Sequence, residues 1–357
     1  MSNISKELKA KCVTARIDGY SVKQIYQDIF CPEHAGMSFR TFRNVLPNWV
    51  KSMNADITTL LAGTYPQFSA HGATVQVNNS GKVVQAWIKQ SANKIDTKAV
   101  LECISNTVVP VNVEACKNEP EDKAMLEIPL FDMHFGIASI DTYKEQLSEI
   151  LDILDSKKWS EVNIVLGQDA LHSNDMRNHT AKGTLLDPTD FTRAWKDAYT
   201  FYSATITKSI LCAPKVNVIY SIGNHDECTA WCLFKTLEQI FPQATFDDSL
   251  DVRKLIHWEN CFIGITHGCY KRSKPTDLRN QFTIEFPIEY AHSTVREIHC
   301  GHLHREQVDD ISGVVTRRCS TRCPETPWEI SQGYTGSSKR FLLFGYTPGR
   351  LRNIYVI

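Results

Sequence analysis

A mixed α/β fold, with β-sheets covered by helices and a small helical module in front, is what three features of the sequence predict. From Met125 onward, short apolar runs alternate with longer helical patterns, as strands joined by helices do. From Val252 onward, strand-like runs follow one another with few helical intervals. Five of these runs end in groups of Gly, His, Asp or Asn, so polar residues collect where strands stop. The chain has 357 residues, 42% hydrophobic and 22% charged, which suits one domain of about 235 residues with smaller accessories.

Residues 1–53 read as a helical module. Helix formers fill 6–18, and Gly19 ends that run. Ser21 is the expected N-cap of a helix over 22–30, with Ile25 and Ile29 on one face. Residues 31–36 read as a turn. Ser38 then caps a third helix over 39–46, with Phe39, Phe42 and Leu46 inward, Arg40 and Arg43 outward, and Pro47 kinking it. Eight Lys and Arg against four Asp and Glu leave this module at +4. A helix-turn-helix that lays its third helix in a DNA groove is one reading. A three-helix protein-contact module, or a cap on the catalytic domain, is the other; the long connector between helices two and three supports it.

Residues 54–122 read as a small hairpin, a helix and a linker. The strands are expected at 73–77 and 82–89 around the turn Asn78-Asn79-Ser80-Gly81. A helix is expected at 97–104, and 105–122, with Pro110 and Pro120, as the linker. In the main domain, 123–357, strands are expected at 125–131, 162–166, 216–221, 252–258, 262–266, 297–300, 307–311, 314–318, 341–346 and 350–356. Helices are expected at 143–154, 191–211 and 230–241.

Several classes of protein fall away at this stage. The formal net charge of −1 gives no global attraction to a polyanion, so nucleic-acid binding must come from a local patch. No run approaches the roughly 18 apolar residues of a membrane helix. The polar start, without a signal-type apolar core, leads to the expectation of a cytoplasmic protein with no membrane partner. Twelve cysteines lie scattered; Cys228/Cys232 and Cys319/Cys323 are each four apart but lack the second pair of a structural zinc site. They are expected to be reduced and mostly buried.

The strand ends carry the chemistry. They are Asp132-Met133-His134, Gly167-Gln168-Asp169 followed by Ala170-Leu171-His172, Gly223-Asn224-His225-Asp226, His267-Gly268, and Gly301-His302-Leu303-His304. A single histidine at a strand end is ordinarily a hydrogen-bonded structural residue. Five such groups in one strand-relative position point instead to a shared site. The i, i+2 spacing of Asp132/His134 and His302/His304 would place each pair on one face of an extended strand. Imidazole nitrogen and carboxylate oxygen without thiolate suit Zn, Mn or Fe.

The order D-x-H, G-D, G-N-H-D, H, G-H-x-H resembles the calcineurin-like metallophosphoesterase superfamily, from Leu126 to the C-terminus, with the second block departing from the usual Gly-Asp as Gly167-Gln168-Asp169. The resemblance implies a pair of packed β-sheets flanked by helices and two divalent metal ions, Mn foremost, with Zn, Fe or Mg as alternatives. It implies that Asp132, His134 and His304 hold the first ion and Asn224, His267 and His302 the second. Asp169 would bridge both, with Asp175 as the alternative bridge. His225 would be the catalytic histidine and Asp226 the partner of its other ring nitrogen.

The run His172-Ser173-Asn174-Asp175, then Thr180-Ala181-Lys182-Gly183-Thr184 and Asp187, is similar to phage-encoded members related to DNA repair exonucleases. It suggests substrate-loop roles for His172, Asn174, Arg177 and His179; a helix-capping polar loop is the bland reading.

The implied mechanism is attack on phosphorus by a hydroxide bridging the ions, with His225 protonating the leaving group. The expected function is a two-metal phosphodiesterase, a nuclease on DNA. A small-nucleotide phosphoesterase, a protein phosphatase and a non-catalytic DNA-binding protein are the alternatives. The basic stretch Tyr270-Lys271-Arg272-Ser273-Lys274-Pro275 would steer a polyanion, or be an ordinary solvated loop.

Overall fold

The computed structural model describes residues 4–17, 20–34, 36–62, 68–77, 83–92 and 97–357; between 51 and 97 the description is of the backbone. The chain parts into two compact units, Met1–Asp96 and Thr97–Ile357. The boundary expected at residue 53 therefore falls inside the first unit. The segment leading to 122 belongs to the second.

In the first unit, α1 (Lys6–Ile17) is followed by α2 (Val22–Gln24), a π-helical stretch (Ile25–Phe30) and α3 (Cys31–Glu33). Ser21 caps this run, with Gln24 completing a capping box. The turn expected at 31–36 starts later. Pro32 sits in the first turn of α3, where its missing N–H is not needed. α4 (Phe39–Ala62) runs past Pro47. The proline removes one intrahelical bond, while Phe42 and Leu46 remain buried against Leu8, Cys12, Ile25 and Phe30. Phe39, expected inward, is instead 37% exposed and meets Tyr26 edge-on. β1 (Phe68–Val77) and β2 (Val83–Ala92) form an antiparallel hairpin. Gly19 and the turn at 78–81 lie outside the described residues.

The second unit opens with α5 (Thr97–Thr107). The stretch after it, expected as a linker, is laid along the unit by backbone bonds from Val111 N to Ile240 O and from Cys116 N to Ile210 O, 2.9 Å each. Next come β3 (Met125–Pro129), α6 (Lys144–Asp155), β4 (Glu161–Gly167), α7 (Phe191–Cys212), β5 (Lys215–Ser221), α8 (Glu227–Ile240) and β6 (Thr245–Asp247). The second half holds β7 (Lys254–Trp258), β8 (Cys261–Ile265), α9 (Pro275–Glu285), α10 (Pro287–His292), β9 (Val295–Cys300), β10 (Gln307–Ile311) and β11 (Val314–Arg318). It closes with α11 (Pro327–Gln332), β12 (Leu342–Thr347) and β13 (Arg350–Val356).

The strands form two sheets, ordered β13-β12-β3-β4-β5-β6 and β10-β11-β9-β8-β7. Side-chain alternation stacks them. Leu126, Ile128, Ile164 and Val218 face Ile150 of α6, Phe201 of α7 and Leu233 of α8. Their neighbours Met125, Val165 and Ile219 turn to the other side and meet Ile256, Ile263 and Phe344. Phe262 and Ile298 pack under Leu278 and Phe282 of α9. The layers thus run helix, sheet, sheet, helix, the double-sheet sandwich expected. Burial on both faces explains why the central strands read as unbroken apolar runs. β3, β4 and β5 are parallel neighbours in the first sheet, as β8 and β9 are in the second. Among the described residues, no helix is long and apolar enough to cross a membrane.

Candidate metal centre

All five polar groups leave parallel strands, and in three of them the backbone is strained. Asp132, His134, Gln168, Asp169, His302 and His304 have φ between 45° and 73°. Non-glycine residues in the left-handed region cost about 1–3 kcal/mol each and persist where the surroundings over-determine them. This replaces the expectation of extended i, i+2 pairs. Asp132/His134 and His302/His304 converge because the chain turns sharply after β3 and β9, not because it stays straight.

Two glycines let the backbone come close enough to hold the carboxylates. A Cβ at Gly223 would lie 2.2 Å from Asp169 Oδ1, and one at Gly301 2.3 Å from Asp132 Oδ2. Just downstream, His225 N donates to Asp169 Oδ1 and His302 N to Asp132 Oδ2, both at 2.7 Å. Arg318 fixes the second turn by donating to Gly301 O at 2.8 Å. Thr321 Oγ1 donates to Asp132 O.

The side chains gather into donor groups of metal-binding size: Asp132, His134 and His304; Asp169, His267 and His302; and His134, His172 and His225. The Nε2 atoms of His134 and His304 are 3.1 Å apart. His267 Nε2 lies 2.8 Å from Asn224 Oδ1 and 3.0 Å from Asp169 Oδ2. Asp132 Oδ1 is 3.7 Å from His304 Nε2 and 3.9 Å from His267 Nδ1, between the first two groups. Asp132 Oδ1 and His267 Nδ1 are buried without a hydrogen-bond partner. Unpaired buried oxygen and nitrogen, aimed together, are costly unless a cation satisfies them. The donor set fits hard-to-intermediate divalent ions.

The electrostatics divide the ligand rings: burial works to lower His267 and His304, but Asp169 raises the first to about 9 and Asp132 raises the second, whereas the other two rings are lowered. Burial, then His225, lowers the His134 imidazole well below its usual range. Burial, then His267, brings His302 down to about 4. Both rings are therefore neutral, as ligands must be. Burial works to raise Asp169, yet the imidazole of His267 holds it well below the ordinary carboxylate range. Asp175, the alternative bridge, is turned to the amides of Arg177 and His179 and the His179 ring, away from these groups.

His225 stands 4.8 Å, ring to ring, from His134. Its Nδ1 does not meet Asp226, as expected, but the carbonyl oxygen of His172 at 2.9 Å. A carbonyl only accepts, so Nδ1 carries the proton and Nε2 is left for chemistry. Asp226 points the other way and accepts from Leu171 N at 2.9 Å. Burial and then Asp169 push its carboxyl up to about 8. Asp226 thus braces the loop whose next residue supplies the carbonyl.

Of the four residues expected at the substrate, His172 is buried with Nδ1 3.4 Å from His134 Nδ1. Asn174 Oδ1 accepts from Cys228 N at the start of α8, which is the capping reading of that loop. His179 pairs with Asp175, and Arg177 is exposed; neither belongs to a donor group.

Glu329 was not anticipated. Its Oε1 is 2.6 Å from His304 Nδ1, while Oε2 accepts from Thr326 N in the capping box of α11. The signal was present as Thr326-Pro327-Trp328-Glu329, although only the fold brings it to His304. Burial would raise Glu329, but the His304 ring and Thr326 hold it at about 2.

No family model matches the sequence, and no curated protein does. Among solved structures, wild-type Vps29 of Entamoeba histolytica complexed with zinc is 13% identical, with a TM-score of 0.34, over 66% of this chain and 98% of that one. A novel archaeal phosphodiesterase is 10% identical, TM-score 0.33, over 66% and 99%. A conserved protein of Streptococcus pneumoniae described as a predicted phosphoesterase is 11% identical, TM-score 0.27, over 67% and 99%.

Proposed function

We propose that this protein is a two-metal-dependent phosphodiesterase acting on nucleic acid, with DNA as the expected substrate and Mn the first metal to try. The observation that carries the reading is the pair of adjoining donor groups, Asp132–His134–His304 and Asp169–His267–His302, with His225 outside both first-named sets but beside His134. When bound, two divalent ions supply Lewis-acid polarisation and charge neutralisation for a phosphoryl group. Asp132 and Asp169, fixed by the amides of His302 and His225, keep the anionic oxygens in place without rotamer search. Asn224 adds a neutral oxygen, so the centre gains an acceptor without another charge. His225, locked by the His172 carbonyl, presents Nε2 toward the centre and in its protonated form delivers a proton to the leaving oxygen. Arg177, His179 and the exposed Lys271 and Arg272 are the side chains we assign to the substrate's flanking phosphates.

Hydrolysis of single-stranded DNA, duplex DNA, RNA, cyclic dinucleotides and bis(p-nitrophenyl) phosphate should be compared with and without added Mn, with Asp169→Asn as control. Metal-dependent cleavage lost in Asp169→Asn is expected. His225→Ala should keep its metal by elemental analysis while turnover falls about 10²–10⁴-fold. Metal-independent turnover, or full activity in His225→Ala, would overturn the reading.

A further inference from the structure

Glu329 ties one more segment to the centre. α11 and the residues after it hold large apolar side chains out to solvent: Trp328 is 60% exposed and Tyr334 65%. Their rings lie 5.9 Å apart, tilted by 41°. Neither ring joins a core cluster of the fold. Trp328 directly precedes Glu329, whose carboxylate is bonded to His304, so the segment that carries the pair is anchored to the centre through its backbone. Arg305 directly follows His304 in the chain. A cleft of about 350 Å³ is lined by Arg305, Ser337, Ser338 and Arg340 together with Glu306, Gln307 and Val308. Arg340 is held by Glu306 at 2.6 Å, whereas Arg305 makes no ion pair or hydrogen bond among the described residues.

From this juxtaposition we infer a single-strand subsite: an unpaired nucleobase stacks on Trp328 and Tyr334, and the neighbouring phosphate enters the cleft at Arg305. The inference rests on the phosphodiesterase reading and names single-stranded DNA as its substrate. Aromatic faces take any base, because every base has a π-face, whereas a duplex keeps its bases stacked on one another. Arg305 and the two serine hydroxyls offer donors to a phosphate, the companion such a base must bring. A protein partner could also cover a Trp–Tyr pair. The unpaired Arg305, next in the chain to His304, favours the strand.

The test separates binding from turnover. Fluorescence anisotropy with a labelled oligothymidylate octamer and an abasic octamer of equal charge, in chelator, reads binding by the full chain. The wild type is expected to prefer the base-bearing strand by about 5- to 100-fold, the span of one or two stacked bases. In Trp328→Ala/Tyr334→Ala that ratio should fall toward one. Trp328 lies in the first turn of α11, so Tyr334→Ala alone, outside the helix, is the second variant and should lower the ratio in part. Arg305→Ala should reduce the salt slope of binding by about 0.7, the loss of one single-strand phosphate contact. A wild-type ratio of one, or a ratio unchanged in both aromatic variants, overturns the subsite. Hydrolysis of the same strands with Mn is scored separately. Base-dependent binding without hydrolysis would keep the subsite and sink the phosphodiesterase reading; hydrolysis with equal binding would do the reverse.

Discussion

His304 shows how a single residue in this protein is fixed from two sides. Its Nε2 faces His134 Nε2 and Asp132, while its Nδ1 meets the buried Glu329 carboxylate. A carboxylate on the far nitrogen sets the tautomer and raises the basicity of the ligating one, and removing such a partner costs about 10–100-fold in metal affinity. Glu329→Gln is therefore expected to weaken binding at the group that contains His304 by that factor in a chelator-competition titration, with the capping of α11 retained. An unchanged affinity would reduce Glu329 to a helix cap. The same residues show what a sequence discloses. That Asp132, His134, Asp169, Asn224, His225, His267, His302 and His304 come together was legible because each follows an apolar strand within a few positions. Glu329 was not, because 25 residues separate it from His304 and only folding joins them. The partner of His225 was misassigned for a related reason. Side chains 225 and 226 diverge at the turn, so adjacency in the chain was no guide to contact.

At the scale of elements, the two sheets are joined by polar groups as well as by the apolar layer. His299 of β9 reaches across to Glu127 of β3 at 2.8 Å and along its own strand to Glu297 at 2.9 Å. Arg317 of β11 completes the set by pairing with Glu297 at 2.8 Å. Burial works against a charge on His299, but Glu127 and Glu297 outweigh it and raise the ring to about 9. A ring that titrates near 6.5 in the unfolded chain and near 9 here binds its proton more tightly when folded. Its contribution, on the order of 3 kcal/mol, is complete below pH 6.5 and is lost as pH rises to about 9. Glu297 behaves oppositely. Burial is overcome by His299 and Arg317, which hold it at about 2, so its contribution fades as pH falls from about 4.5 toward 2. Urea midpoints from pH 6 to 9.5 should fall in the wild type and stay flatter in His299→Gln; parallel curves would show that the clamp carries no titrating charge. The strands that bear it were readable as apolar runs. α9 was not, because only Leu278 and Phe282 of it are buried, too few to imprint a helical period.

At the scale of the whole chain, the parting after Asp96 decides what the second unit needs to be complete. Every residue assigned to the centre lies between Asp132 and Glu329, inside Thr97–Ile357. A chain of residues 97–357 is therefore expected to retain metal-dependent hydrolysis of bis(p-nitrophenyl) phosphate. The sequence suggested a later cut, at 122, because the prolines and charges of 105–122 look like a linker. The fold uses that stretch differently. Val108, Val113 and Ala115 pack against the main core, and two backbone bonds pin the stretch to Ile240 and Ile210. A chain of residues 123–357 would uncover that strip of the core. Each partly buried side chain lost is worth about 1 kcal/mol, and each kcal/mol moves the melting temperature of a unit this size by about 2–4 °C. The shorter chain should melt roughly 5–10 °C below the longer one in differential scanning calorimetry. Equal melting temperatures would mean that residues 97–122 are a linker after all, and that the second unit closes on its own from Lys123.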